Sequence, residues 1–131
     1  MGILNSLFGK KSNAPKKEKR TAPWIPLTSV EQLGEIKTKS ATRPQVIFKH
    51  STTCGISRMV INRFNEGYDI PADNLDLYYL DLRSFRSVSN EVAAFFAVRH
   101  ESPQLLVIKN GEVVIHKSHG GISQVDLKGY V

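Results

Sequence analysis

Gln45-Val46-Ile47-Phe48-Lys49-His50-Ser51-Thr52-Thr53-Cys54-Gly55-Ile56-Ser57 holds a strand, a break and the start of a helix within thirteen residues. The β-branched and aromatic run from Gln45 to Lys49, between Pro44 and the Ser-Thr-Thr turn, predicts a central strand. Ile56, Met59, Val60 and Phe64 then recur at i, i+3, i+4 and i+8, the spacing of an amphipathic helix. Its first turn holds Cys54 to Ser57, and Gly67 is a plausible end. A helix N-terminus carries unpaired N–H groups and a partial positive charge. Both favour a thiolate over a thiol, and the thiolate is the reactive form. Cys54 is the only cysteine of the chain, so this is a reactive sulfur with no resolving partner. The competing reading is an inert buried cysteine, a common fate of a lone one.

Working outward, Pro23-Trp24-Ile25-Pro26-Leu27 reads as an extended lead-in, because each proline biases its predecessor away from helix. Thr28 with Glu31 matches a capping box, and Val30, Leu33 and Ile36 follow at helical spacing, giving a helix over about 29–39. Leu75 to Leu82 predicts a second strand, and a helix near 88–98 packs Val92, Phe95 and Phe96 into the core. Leu105 to Ile108 and Val113 to Ile115 flank Asn110-Gly111, a hairpin signature. Gly120-Gly121 releases the chain into a short final helix. Strand–helix–strand gives parallel strands, and the hairpin adds an antiparallel pair. The fold class is therefore α/β, a thioredoxin-like fold with a mixed four-stranded sheet flanked by helices.

The chain has 131 residues and a formal charge of +6. The charge is unevenly placed: residues 1–20 hold six basic side chains against Glu18, and the rest is close to neutral. We read residues 1–22 as a disordered basic tail and 23–131 as one thioredoxin-like domain. A short apolar start and a Met1-Gly2 lipidation pattern offer membrane contact as the disfavoured reading of the tail. A nucleic-acid partner is not expected, since no basic cluster falls on the folded part and no binding motif accompanies it. One cysteine excludes an internal disulfide, and without a secretory signal this points to a reducing, cytoplasmic location. The four histidines are not spaced as a zinc site with one cysteine, so no metal is expected.

Several stretches then occur in order: Lys49 to Ser57, Val88-Ser89-Asn90, Val98-Arg99-His100-Glu101-Ser102-Pro103-Gln104, Gly111-Glu112-Val113 and His116-Lys117-Ser118-His119. Together they resemble the monothiol bacilliredoxins, thioredoxin-like proteins of the bacillithiol redox system, over about residues 24–123. The resemblance implies an active cysteine at Cys54, a cis-proline at Pro103 and removal of bacillithiol from proteins held as mixed disulfides. It also implies S-thiolated client proteins and a small thiol as partners, the thiol being a co-substrate, with no tightly bound cofactor. Gly55 departs from the pattern, standing where the family usually has proline. Cys-Gly-Ile-Ser there resembles the iron–sulfur-carrying monothiol glutaredoxins, which keeps a cluster carrier as an alternative. A non-catalytic thioredoxin-like interaction module is the third reading.

Exchange chemistry accounts for the remaining site residues. Thiolate attack needs an accessible sulfur and a stabilised anion. Thr53, Gly55, Ile56 and Ser57 form the loop and first helical turn around Cys54. Ser57 stands where a dithiol protein carries its second cysteine; its hydroxyl can donate to a thiolate but cannot close a disulfide. It can equally be an ordinary first-turn helix residue. Ser102, by resemblance, offers its backbone beside Cys54 for strand-like pairing with a substrate. Lys49, Arg58 and Arg99 either attract carboxylates of a small thiol or stay solvated, the second being favoured. Trp24 is read as a packing lid.

Overall fold

The computed structural model describes residues 22–131, so the expected tail lies outside the described residues apart from Ala22. Strand β1 is Ile25–Pro26, α1 is Glu31–Lys39, β2 is Gln45–His50 and α2 is Gly55–Gly67. Strand β3 (Asp76–Asp81), α3 (Arg86–Phe95), β4 (Gln104–Lys109) and β5 (Glu112–Ser118) follow, with 3-10 turns at His119–Gln124 and Leu127–Tyr130. The sheet has five strands in the order β1-β3-β2-β4-β5. Strands β1, β3 and β2 run parallel, while β4 is antiparallel to β2 and to β5. One strand more is present than the four expected. The lead-in pairs Ile25 with Tyr78 and Pro26 with Tyr79, an edge position where a residue lacking N–H is tolerated.

Every residue of β2 is buried, because it is flanked by two strands and covered on both faces. Val46 and Phe48 point to one face, where Val60 and Ile61 of α2, Leu105, Val107, Ile122 and Leu127 close the core. Ile47 points to the other, against Leu33 and Ile36 of α1 and Val88 and Val92 of α3. Full burial of such a side chain is worth about 1.5–3 kcal/mol, so these two clusters dominate the favourable side of folding. Trp24 packs across Phe48, Phe64 and Tyr79, and its indole N–H donates to Asn65 Oδ1 at 3.0 Å. The same Oδ1 accepts from Ala22 N, so Ala22, assigned to the tail, is part of the core.

Other expectations shift in register. The reach-back at α1 comes from Gln32, whose Oε1 accepts from Ser29 N and Thr28 N, with Glu31 taking no part. Helix α3 lies earlier than 88–98, and Phe96 is its C-cap. Phe96 is buried while Phe95 is 42% exposed, so only one of the two expected core rings enters the core. Adjacent helical positions cannot face the same way. Phe95 instead stacks edge-on to Phe96, below the Lys37 ammonium. The short final helix is the pair of 3-10 turns.

Candidate active site

Cys54 is the N-cap of α2, in extended conformation at φ −97° and ψ 120°, and its side chain is partly exposed. Its backbone N–H donates to the Ser51 carbonyl at 3.2 Å, closing the Ser-Thr-Thr turn. Its own carbonyl accepts the first helical bond, from Arg58 N at 3.0 Å. The sulfur therefore sits at the positive end of a thirteen-residue helix.

Beneath that turn lies a polar knot. The Ser57 side chain is fully buried. Its Oγ accepts from Ser51 N at 3.1 Å and lies 2.8 Å from His50 Nδ1. Burial lowers the His50 pKa, with Asp81 opposing and Arg58 adding to the fall, so the ring is neutral near pH 7. A hydroxyl has one proton and two lone pairs. Ser51 takes one lone pair, and His50 takes the proton or the other lone pair according to its tautomer, so Ser57 Oγ is tied to the turn on two sides.

The rim carries positive charge and apolar surface. Arg83, in the turn after β3, donates from Nη1 to Thr53 Oγ1 at 2.7 Å, and Arg58 Nη1 reaches the Thr52 carbonyl at 3.4 Å. Asp81 shapes the Arg83 turn by accepting from the backbone N–H groups of Arg83 and Ser84. Ile56 and Met59, expected on the buried face of α2, are 55% and 50% exposed; Ser57, Val60 and Ile61 hold that face. Apart from its chain neighbours and its own helix backbone, nothing lies within 4 Å of a Cβ placed on Gly55, so its lack of a side chain meets no steric demand.

The Ser102–Pro103 peptide bond is cis, as the resemblance implied. Pro103 directly precedes β4, whose Gln104 pairs with Lys49 of β2, so the segment lies at the sheet end from which the Cys54 loop departs. The His119 N–H donates to the Pro103 carbonyl at 3.1 Å, from a residue at φ 55°. Lys49 is neither solvated nor open to a small thiol: it is fully buried, with Nζ on the Ser89 carbonyl and His100 Nδ1. Sequence reasoning missed the parts played by His50 and Arg83. The Lys49-His50 end of a strand that turns into a cysteine loop was the signal for the first. Nothing local marked Arg83, which arrives from a distant turn, whereas His119 falls in a stretch that carried the resemblance.

No group of three or more His, Cys, Asp or Glu side chains is placed to hold a metal among the described residues. A mixed sheet with one free thiol at the entry to its central helix defines a single-cysteine protein of the thioredoxin class. Solved structures agree on the fold. An oxidoreductase with a thioredoxin fold matches at TM-score 0.64 and 34% identity, over 75% of this chain and 84% of that one. Thioredoxin from Malassezia sympodialis matches at TM-score 0.62 and 21% identity, over 84% and 90%. Thioredoxin from Nicotiana alata matches at TM-score 0.62 and 19% identity, over 88% and 98%. The family model of the monothiol bacilliredoxin BrxC covers residues 25–127, and the chain belongs to that family. Its role is in thiol redox chemistry.

Proposed function

We propose that the protein is a monothiol thiol–disulfide oxidoreductase that strips bacillithiol, or a closely similar small thiol, from proteins held as mixed disulfides. The observation that carries this is the pairing of an accessible Cys54 at a helix start with a buried serine three residues on. In the first step the Cys54 thiolate attacks the small-thiol sulfur. A Cys54–S bond to the small thiol forms, the old disulfide breaks, and the client leaves as a thiolate that takes a proton from solvent. No oxidant is consumed. Ser57 cannot resolve the new disulfide, so a second small thiolate attacks it, freeing Cys54 and releasing the symmetrical small-thiol disulfide. Arg83 and Arg58 beside the loop supply positive charge to an anionic thiol, and Ser102 offers backbone to the client.

Such chemistry needs a pool of reduced small thiol, which goes with a cytoplasmic location. Residues 1–21, ahead of the domain, play no part in it. The test is to mix the full chain with a protein bearing one bacillithiol adduct and follow masses over time. Transfer of the adduct mass to Cys54, absent in Cys54→Ala, is expected. Equal, slow loss of the adduct with both chains would overturn the reading.

A further inference from the structure

Lys49 has no exposed surface, and among the described residues no carboxylate lies within ion-pair distance of it. Burying an ammonium without a counter-charge is costly, and an apolar side chain of similar volume would serve the core better. The residue is therefore not explained by stability. What it does is join three separated segments. From β2, five residues before Cys54, its Nζ donates to the Ser89 carbonyl in the first turn of α3 at 3.1 Å. It lies equally close, 3.1 Å, to Nδ1 of His100, in the strap between α3 and β4. Ser89 Oγ is 3.4 Å from the same nitrogen.

The strap is tied a second time. Gln104 is the cross-strand partner of Lys49, and its Nε2 donates to the Arg99 carbonyl at 2.8 Å. Gln104 Oε1 is buried without a hydrogen-bond partner among the described residues. Polar groups are thus accepted at a cost on both strands to hold residues 99–103. Those residues end in Ser102-Pro103, at the edge of the site. We propose that Lys49 is a positioning residue, its bond to the His100 imidazole clamping the 99–103 strap so that the Ser102 backbone meets a thiolated client. This rests on the exchange activity proposed above.

The polarity of the bond supports the assignment. Burial lowers the Lys49 pKa to about 8, which leaves the amine protonated at pH 7. Burial, Lys49 and Arg86 hold the His100 pKa down, with Glu101 opposing, so the imidazole stays neutral and Nδ1 can accept.

The experiment measures steady-state rates of the full chain on a peptide carrying one bacillithiol mixed disulfide, together with urea midpoints. Lys49→Met is expected to raise KM about fivefold or more with kcat within about twofold, and to leave the urea midpoint equal or higher. Asparagine places Oδ1 where the imidazole has Nδ1, so His100→Asn is expected to keep the wild-type KM while His100→Leu matches Lys49→Met. An unmoved KM in Lys49→Met with an active wild type would overturn the clamp alone. So would a fall of kcat in step with the urea midpoint, or His100→Asn behaving as His100→Leu. An inactive wild type would overturn both the clamp and the activity on which it rests.

Discussion

Ser57 Oγ lies 2.8 Å from His50 Nδ1, binding the first turn of α2 to the last residue of β2. With the Ser51 N–H on the same oxygen, this serine holds the cysteine loop from below. Ser57→Ala leaves the partly buried Ser51 N–H and the buried His50 Nδ1 without their shared partner, and a lost partner of this kind costs about 1–3 kcal/mol. A matching fall in stability on urea unfolding is expected. Alkylation of Cys54 at pH 7 by iodoacetamide should change by less than about twofold, because Ser57 Oγ is already tied to Ser51 N and His50 Nδ1. A several-fold slower alkylation would show that Ser57 donates to the sulfur.

Gly55 is the first residue of α2, and the space around its Cβ position is open. Proline is favoured at that position, where its missing N–H would be unpaired in any case. It also demands an extended residue before it, which Cys54 supplies at φ −97° and ψ 120°. Gly55→Pro should therefore stabilise the fold by about 0.4–1 kcal/mol through the unfolded chain. Thermal unfolding checks it: a lower Tm would mean that the loop needs glycine.

Stability should rise with pH in two windows. Buried His50 and half-buried His100 resist protonation, so the unfolded chain takes up more protons as pH falls below about 6.5 and stability is lost there. Lys49 releases its proton at about 8 in the folded chain, against an ordinary value of 10.5. Between these values the unfolded chain again holds more protons, so the penalty of burying the ammonium lifts as pH rises. Tyr78, pushed up to about 12, works the other way once unfolded tyrosines ionise above about pH 10. Urea midpoints should therefore climb from pH 8 to 10 in the wild type and stay flat by comparison in Lys49→Met.

Arg83 is exposed, and its 2.7 Å bond to Thr53 contributes little to stability in water. Its charge beside the loop should still attract an anionic small thiol. Arg83→Ala is expected to slow exchange with bacillithiol disulfide about two- to fivefold at low salt, by loss of steering. The difference should fade at about 0.5 M salt, where the Debye length shrinks to a few ångströms. Equal slowing at both ionic strengths would assign the arginine to loop geometry instead.

The elements of this fold were legible where the signal was local. Asn110 and Gly111 adopt φ 53° and 81° in the β4–β5 turn, and β2 and α2 fall where their spacings put them. What failed was register. Thr28-Glu31 and Ser29-Gln32 both match a capping pattern, and only three-dimensional reach decides that Gln32 turns back. Phe95 and Phe96 are equally apolar, and the end of α3 decides which is buried. Within the site, Cys54 and Ser57 could be placed on their helix from sequence. The burial of Lys49 could not, because a lysine at a strand end is ordinarily solvated. Its partners come from 40 and 51 residues away.

Trp24 is the sole tryptophan, and it is wedged among Phe48, Phe64 and Tyr79 with its nitrogen on Asn65. The chain thus comes with a built-in optical gauge: exposing this indole to water should redden its emission as the domain opens. No label is then needed to follow unfolding, and Cys54 is left bare for chemistry in the same sample.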